Sequence, residues 1–302
     1  MLPSDLEALW RRSPTRAPFT HPAAVAAYAR AFDLEAGAVA LEDGSAAMPT
    51  LTKRRGPFRA AALPPLAPVW RPVLEAEPTE AETHARTSAL DRLLPALEGA
   101  ADQVTLALGA DDLRPYTWAG WTATPRSTYR LTLEGDLEAG FSSSTRRTVR
   151  RESGAFEVVE DGALAGDAVR LMVDSYRRQG STLGLEVSAV AGLARAFVDA
   201  GLARVVGARR RHGLEAAVVA AHDGRAAFYW IAGSVPGPAM TVLLADLLPR
   251  LQTDGLQTFD FCGANTPSIA EFKRRFGPTL APAPTVRRVT SPALRALDRL
   301  RR

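Results

Sequence analysis

Two groups of residues in this chain have the types and spacing to do chemistry. The first lies in Thr258–Gly277, TFDFCGANTPSIAEFKRRFG. Of the 37 lysines and arginines, only Lys53 and Lys273 are lysines, so this chain keeps an ammonium where it elsewhere uses guanidinium. On a helix opening at Pro267, a rotation of about 100° per residue puts Lys273 in the same arc as Ile269, Phe272 and Phe276. A lysine there either snorkels to the edge or points into a cleft. Asp260 closes the alternating stretch Thr258–Phe261 beside a turn made by Gly263 and Asn265, where a carboxylate accepts a proton or caps the turn. The second group is Arg146, Arg147, Arg150 and Arg151. Their i,i+4 like-charge pairs cost roughly 0.2–0.5 kcal/mol each. A helix carrying them faces an anion, which guanidinium binds bidentately, or is a solvated basic face.

Three further features could serve a ligand. The segment Gly233-Ser234-Val235-Pro236-Gly237-Pro238 joins an expected strand to an expected helix. Amides at Gly233, Ser234 and Gly237 would cradle a pyrophosphate there, unless the segment is a plain connection. Tyr229 and Trp230 occupy opposite faces of their strand, so one of them lines a cleft or the core. Asn265 in the turn and Phe272 beside Lys273 join Tyr229 as candidate substrate contacts.

Other chemistry is poorly served. Cys262 is the single cysteine, with no histidine near it in sequence, and reads as a buried thiol in a reducing compartment. The four histidines, His21, His84, His212 and His222, lack metal-ligand spacing, and no metal is expected. There is no nucleophile elbow, P-loop or dinucleotide fingerprint. Hydrophobic content of 46%, charged content of 23% and a net charge of +4 describe a globular chain that permits an anionic partner without requiring one. No run of 18 apolar residues occurs, and MLPSDLEALWRR lacks a signal-peptide core, so a cytoplasmic protein is expected.

The elements that must position these residues alternate. Helices are expected at 3–12, from Pro22 with Thr20 as cap, and from a Thr79/Glu82 capping box to about Glu98. Strand-like pieces fall at 38–41, 47–51 and 103–108, and the proline-rich run 63–74 is extended. The basic loop Lys53-Arg54-Arg55-Gly56 follows the second piece. The second half offers a strand at 127–133, the arginine helix at 142–153, a strand at 156–160, and helices at 166–179 and 188–200. A meander follows at 203–209, 214–221 and 225–232. A helix at 239–253, the Asp260 strand, the Lys273 helix, a strand near 285–290 and a terminal helix close the chain. This is an α/β (α+β) pattern.

Asp-Phe at a strand end, a glycine turn and Phe-Lys-x-x-Phe-Gly resemble the C-terminal signature of the FemAB-like branch of the GNAT acyltransferases. The Ser-Ser-x-x-Arg-Arg helix, the meander and this block come in the family's order, so the resemblance covers about residues 115–280 and extends weakly to 20–75. It implies two GNAT-like halves, each a mixed, largely antiparallel sheet flanked by helices, sharing a central cleft; we divide them at 1–110 and 111–302. It implies an N-acyltransferase that moves an acyl or aminoacyl group onto an amine of a cell-envelope precursor or other anionic, nucleotide-linked metabolite. Lys273 would then stabilise charge at the acyl carbonyl, and Asp260 would accept the amine proton or hold the acceptor. The four arginines would lie near the phosphates of the acceptor or of a tRNA. The chain departs from the wider superfamily in lacking the Arg/Gln-x-x-Gly-x-Gly/Ala loop for acetyl-CoA, and has no room for the helical hairpin of some bridge-forming relatives. No tightly bound cofactor is expected; acyl-CoA or aminoacyl-tRNA would be a co-substrate, with no DNA partner. The alternative is a non-catalytic GNAT-shaped module that binds RNA or an anionic ligand, with at most peripheral membrane contact through the terminal helix.

Overall fold

The computed structural model describes residues 3–75, 80–109, 112–211 and 213–300. The chain divides into two compact units, Met1–Arg126 with Pro282–Arg302, and Ser127–Ala281.

The first unit opens with α1 (Pro3–Arg12) and α2 (Pro22–Phe32), followed by β1 (Glu35–Ala40), β2 (Ala46–Arg55), β3 (Phe58–Ala61) and β4 (Val73–Leu74). It continues through α3 (Glu80–Ala100), β5 (Gln103–Ala107), α4 (Arg114–Trp118) and β6 (Thr122–Thr124), and ends with β14 (Thr285–Val289) and α11 (Pro292–Leu300). Among the described residues its sheet has seven strands in the order β1-β2-β3-β5-β14-β6, with β4 on β2. The cap of α2 is His21, whose Nδ1 accepts the Ala23 N–H at 3.1 Å, not Thr20, whose hydroxyl donates to the Ala17 carbonyl. Lys53 and Arg54, expected in a loop, continue β2 and pair with β3. The Thr79/Glu82 capping box lies outside the described residues. The unit boundary also falls away from 110/111. Because β14 pairs with both β5 and β6, residues 112–126 and the C-terminal segment fold with the first unit.

The second unit contains β7 (Ser127–Thr132), α5 (Leu137–Gly140), α6 (Ser143–Glu152), β8 (Glu157–Glu160), α7 (Ala165–Arg178) and α8 (Val187–Asp199). The meander is β9 (Ala203–Arg210), β10 (Gly213–His222) and β11 (Ala226–Ser234), and α9 (Ala239–Thr253), β12 (Thr258–Asp260), α10 (Pro267–Arg274) and β13 (Thr279–Pro282) complete the unit. Among the described residues its seven strands run β13-β7-β12-β11-β10-β9-β8. β11 and β12 are parallel, while β12–β7, β11–β10, β10–β9 and β9–β8 are antiparallel. The alternation of β9 and β10 puts Val206, Ala208, Val218 and Ala220 into a core completed by Leu243, Leu244, Leu247 and Leu248 of α9.

A buried turn and an arginine helix form the candidate site

β12 is short because its last residue is committed to the turn that follows. Asp260 is 5% exposed. Its Oδ1 accepts the Thr128 hydroxyl at 2.5 Å and the Cys262 N–H at 2.7 Å, and its Oδ2 faces Arg130 Nη2 at 3.5 Å. Thr128 Oγ1 in turn accepts the Gly263 N–H at 2.9 Å. Asn265 locks the far end, with Oδ1 accepting the Ser127 N–H and Nδ2 donating to the Ser127 carbonyl, each at 3.1 Å. Between these fixed ends Cys262 sits at φ 55, a left-handed conformation that a non-glycine residue holds only when its surroundings impose it.

Lys273 completes the turn. It neither snorkels nor projects into open space: the residue is 4% exposed. Its Nζ donates to the carbonyls of Phe261 at 2.5 Å, Cys262 at 3.3 Å and Gly263 at 2.8 Å, and lies 5.6 Å from the Tyr229 ring centroid. An ammonium has three N–H donors, and all three are used. Direct stabilisation of an acyl oxyanion needs a free donor, so in this geometry Lys273 organises the turn instead. Asp260 is likewise engaged on the turn and on Thr128. Burial lowers the Lys273 pKa, opposed by the neighbouring Cys262 and Asp260. Burial pushes the Cys262 thiol up, reinforced by Asp260 and opposed by Lys273, which favours its protonated form; the residue as a whole is half-buried, not buried as expected.

Tyr229 is half-buried against Phe259 and Phe261, with its phenol pushed up by burial; Trp230 faces the other way and packs on Phe197 of α8 at 4.2 Å. The β10–β11 register skips Trp230, since Val219 faces Ile231 and Ala220 faces Tyr229. That bulge lies just past Phe228, where the β11–β12 ladder ends.

The glycine loop is smaller than its sequence suggests. Gly233 and Ser234 belong to β11, opposite Ala217 and Ala216. A Cβ on Gly233 would sit 2.1 Å from the Leu171 carbonyl carbon, so this glycine lets α7 approach the strand. The Ser234 carbonyl accepts from Arg178 and from the Ser175 hydroxyl. Of the three, only Gly237, at φ 142, lies in the connection itself, ahead of Pro238, the N-cap of α9.

The arginine helix starts where the sequence places it. Ser142 caps it, its Oγ accepting the Thr145 N–H at 3.2 Å. Arg146 turns back to the Ala139 and Phe141 carbonyls, and Arg151 pairs with Glu152 at 2.8 Å. Arg147 and Arg150 are exposed and have no partner among the described residues. With Ser143, the four arginines line an open concavity of about 530 Å³. All five lining residues come from one helix, so this is a basic surface, not an enclosed pocket. Phe272, the other candidate contact, is partly buried against Phe276 at 5.5 Å.

Thr128 is the member of the network that sequence reasoning missed. An alternating strand gives no sign that one threonine on it will bridge a carboxylate and a turn amide 132 or more residues away. Among the described residues no group of His, Cys, Asp and Glu could hold a metal ion, and no helix is long and apolar enough to cross a membrane.

Residues 140–274 match the model of the acetyltransferase (GNAT) domain, a span containing both α6 and Lys273. Solved structures share the fold at low identity. FemX is 12% identical, with 95% of this chain and 96% of that one covered and a TM-score of 0.73. L-PGS from Bacillus licheniformis is 12% identical, with coverages of 98% and 95% and a TM-score of 0.59. A tandem GNAT protein from the clavulanic acid biosynthesis pathway is 15% identical, with coverages of 95% and 94% and a TM-score of 0.52. A comparison with curated protein sequences finds no match.

Proposed function

We propose that this chain, whose residues 140–274 match the model of the acetyltransferase (GNAT) domain, is an N-acyltransferase acting on an anionic acceptor. The acyl or aminoacyl group comes from acyl-CoA or aminoacyl-tRNA, and the acceptor amine belongs to a phosphate-bearing metabolite, a nucleotide-linked cell-envelope precursor being the type that fits best. The amine nitrogen bonds to the acyl carbon, the thiolate or ribose oxygen leaves, and the amine's proton passes to the leaving group or solvent.

The observation that carries this reading is the pair Arg147 and Arg150. Among the described residues they have no carboxylate partner, on a helix whose like charges already oppose its formation, which a phosphate would offset by bidentate hydrogen bonds. In this reading Lys273 and Asp260 are positioning residues that hold the Phe261–Gly263 turn beside Tyr229. Support for an envelope acceptor comes from fold likeness to FemX, and fold alone does not fix a substrate.

The test is a thermal-shift and mass-spectrometry screen of the purified protein against acyl-CoAs, charged tRNAs and UDP-sugars. One donor should stabilise the protein, with the matching mass gain on an amine acceptor. Stabilisation by polyanions alone, lost in salt and without the four arginines, would overturn the reading in favour of a binding module.

A further inference from the structure

A sheet edge is a row of unpaired backbone donors and acceptors, and proteins protect it with short strands, charges, prolines or bulges. Among the described residues the two sheets end on β1, β6, β8 and β13. β6 has three residues. β13 has four and ends in Pro282. β8 has four, with Glu157 and Glu160 at its ends. β1 has six, EAGAVA, with no lysine, no proline and no break in its register against β2 from Glu35–Thr52 to Ala40–Ala47. Glu35, Ala36, Gly37 and Ala38 are all exposed, so among the described residues nothing pairs with this edge.

The ladder fixes which groups point outward. Leu41 donates to the Ala46 carbonyl at 2.9 Å, making 41–46 a hydrogen-bonded pair. Antiparallel pairs alternate, so Val39–Met48, Gly37–Thr50 and Glu35–Thr52 are bonded to β2, while Ala36, Ala38 and Ala40 turn their N–H and C=O away from it. Pro49 opposite Ala38 agrees, having no N–H to offer.

We infer that β1 is a dimerisation edge on which a second copy of this chain adds its own β1, antiparallel about a two-fold axis. With Ala38 on the axis, Ala38 pairs with its counterpart and Ala36 pairs with Ala40 in both directions, so every outward group is satisfied. The one charge, Glu35, meets no like charge, because Leu41 of the second copy lies opposite it. The small side chains leave the backbone accessible. β8 is shorter, with a glutamate at each end, Glu157 and Glu160, whereas β1 offers a longer stretch with a single charge at its start. Joined this way, two seven-stranded sheets become one continuous sheet through a narrow contact, which makes the association concentration-dependent.

Sedimentation velocity across a concentration series should show wild-type protein passing from monomer to dimer. Ala38→Pro removes the on-axis N–H without touching the β1–β2 ladder, and should weaken dimerisation about tenfold or more while leaving the melting temperature of the monomer in place. Ala38→Cys should form a disulfide-linked dimer under mild oxidation, since paired Cα atoms are about 5.5 Å apart, whereas wild type with Cys262 alone should not. A wild type that stays monomeric with no Ala38→Cys cross-link, or an Ala38→Pro protein that dimerises as well as wild type, would overturn the inference.

Discussion

The main-chain N–H of Ser142 donates to the carbonyl of Arg275 at 2.8 Å, so the helix bearing the arginines begins where the helix bearing Lys273 ends. Phe141 and Phe276 meet edge to face at 5.3 Å across the same junction, and Gly277 packs on the backbone of Gly140. Two motifs separated by more than a hundred residues are thereby one mechanical unit. A change at the junction should be felt by the basic surface and by the turn together.

Gly277 is the sharpest test of that junction. It has φ 76, and a Cβ there would lie 2.5 Å from the Gly140 carbonyl oxygen. Gly277→Ala should cost about 2–3 kcal/mol, combining backbone strain with displacement of α5 and α6. Denaturant unfolding measures the loss, and an unchanged midpoint would show that α10 and α6 move independently.

Arg147 and Arg150 should behave in the opposite way. Neither has a partner among the described residues, so Arg147→Ala and Arg150→Ala should alter stability by less than about 0.5 kcal/mol. Each should weaken binding of a phosphate-bearing ligand by about tenfold. Titration calorimetry at two salt concentrations checks both points. Equal affinity for wild type and the double variant would remove the arginine surface from the site.

Much of this was legible in the sequence, for reasons that particular residues make plain. Ser142 followed by Thr145 and the arginines marks a helix start through local capping, and Thr258–Gly277 announces strand, turn and helix through Pro267 and Gly277. Local signals of this kind do not need the tertiary structure. What side chains reach does need it. Lys273 carries the pattern of an apolar-face lysine whether it points to solvent or to carbonyls, and only the close return of Phe261–Gly263 decides. Gly233 looks like loop because the strand signal fades toward glycine, yet it is glycine because α7 leaves no room for a Cβ. The unit boundary was missed because β14 returns from the far end of the chain to pair with β5 and β6, a non-local pairing that periodicity cannot show.

Thr128 joins Asp260 to the Gly263 amide through one hydroxyl. Thr128→Val keeps the shape and removes both bonds, and should cost about 1–3 kcal/mol because a turn amide and a buried carboxylate oxygen each lose a partner. Thr128→Ser retains the hydroxyl and should recover most of that stability. Thermal melts of the two variants make the comparison; equal losses would mean that packing of the threonine methyl matters, not the hydroxyl.

His222 gives the chain a pH response. Burial, and next the Arg204 guanidinium, hold its pKa below 6.5 in the folded state, against the opposing pull of Asp223, Glu160 and Asp254. Between the folded value and 6.5 the unfolded chain binds more protons, so stability rises with pH there and levels off above it. The difference in melting temperature between wild type and His222→Asn should therefore move against wild type as pH falls below about 6.5. A difference independent of pH would show that the imidazole is not held neutral by the fold.

Lys273 separates positioning from chemistry. Its ammonium satisfies the carbonyls of Phe261, Cys262 and Gly263 from a buried position, and Asp260 holds the same turn from the other side. Lys273→Met fills much of the same volume but leaves those carbonyls without their donor and Asp260 without nearby positive charge beyond Arg130. The loss should be about 2–4 kcal/mol, read as a fall of several degrees in melting temperature. Turnover should fall with it, because the turn beside Tyr229 loses its left-handed residue at Cys262. Lys273→Arg keeps the charge but replaces a compact ammonium by a planar fork that cannot converge on three carbonyls, and should restore little. If Lys273→Met instead melts like wild type and still binds donor and acceptor while turnover disappears, the ammonium leaves the carbonyls during the reaction and acts on the acyl group directly.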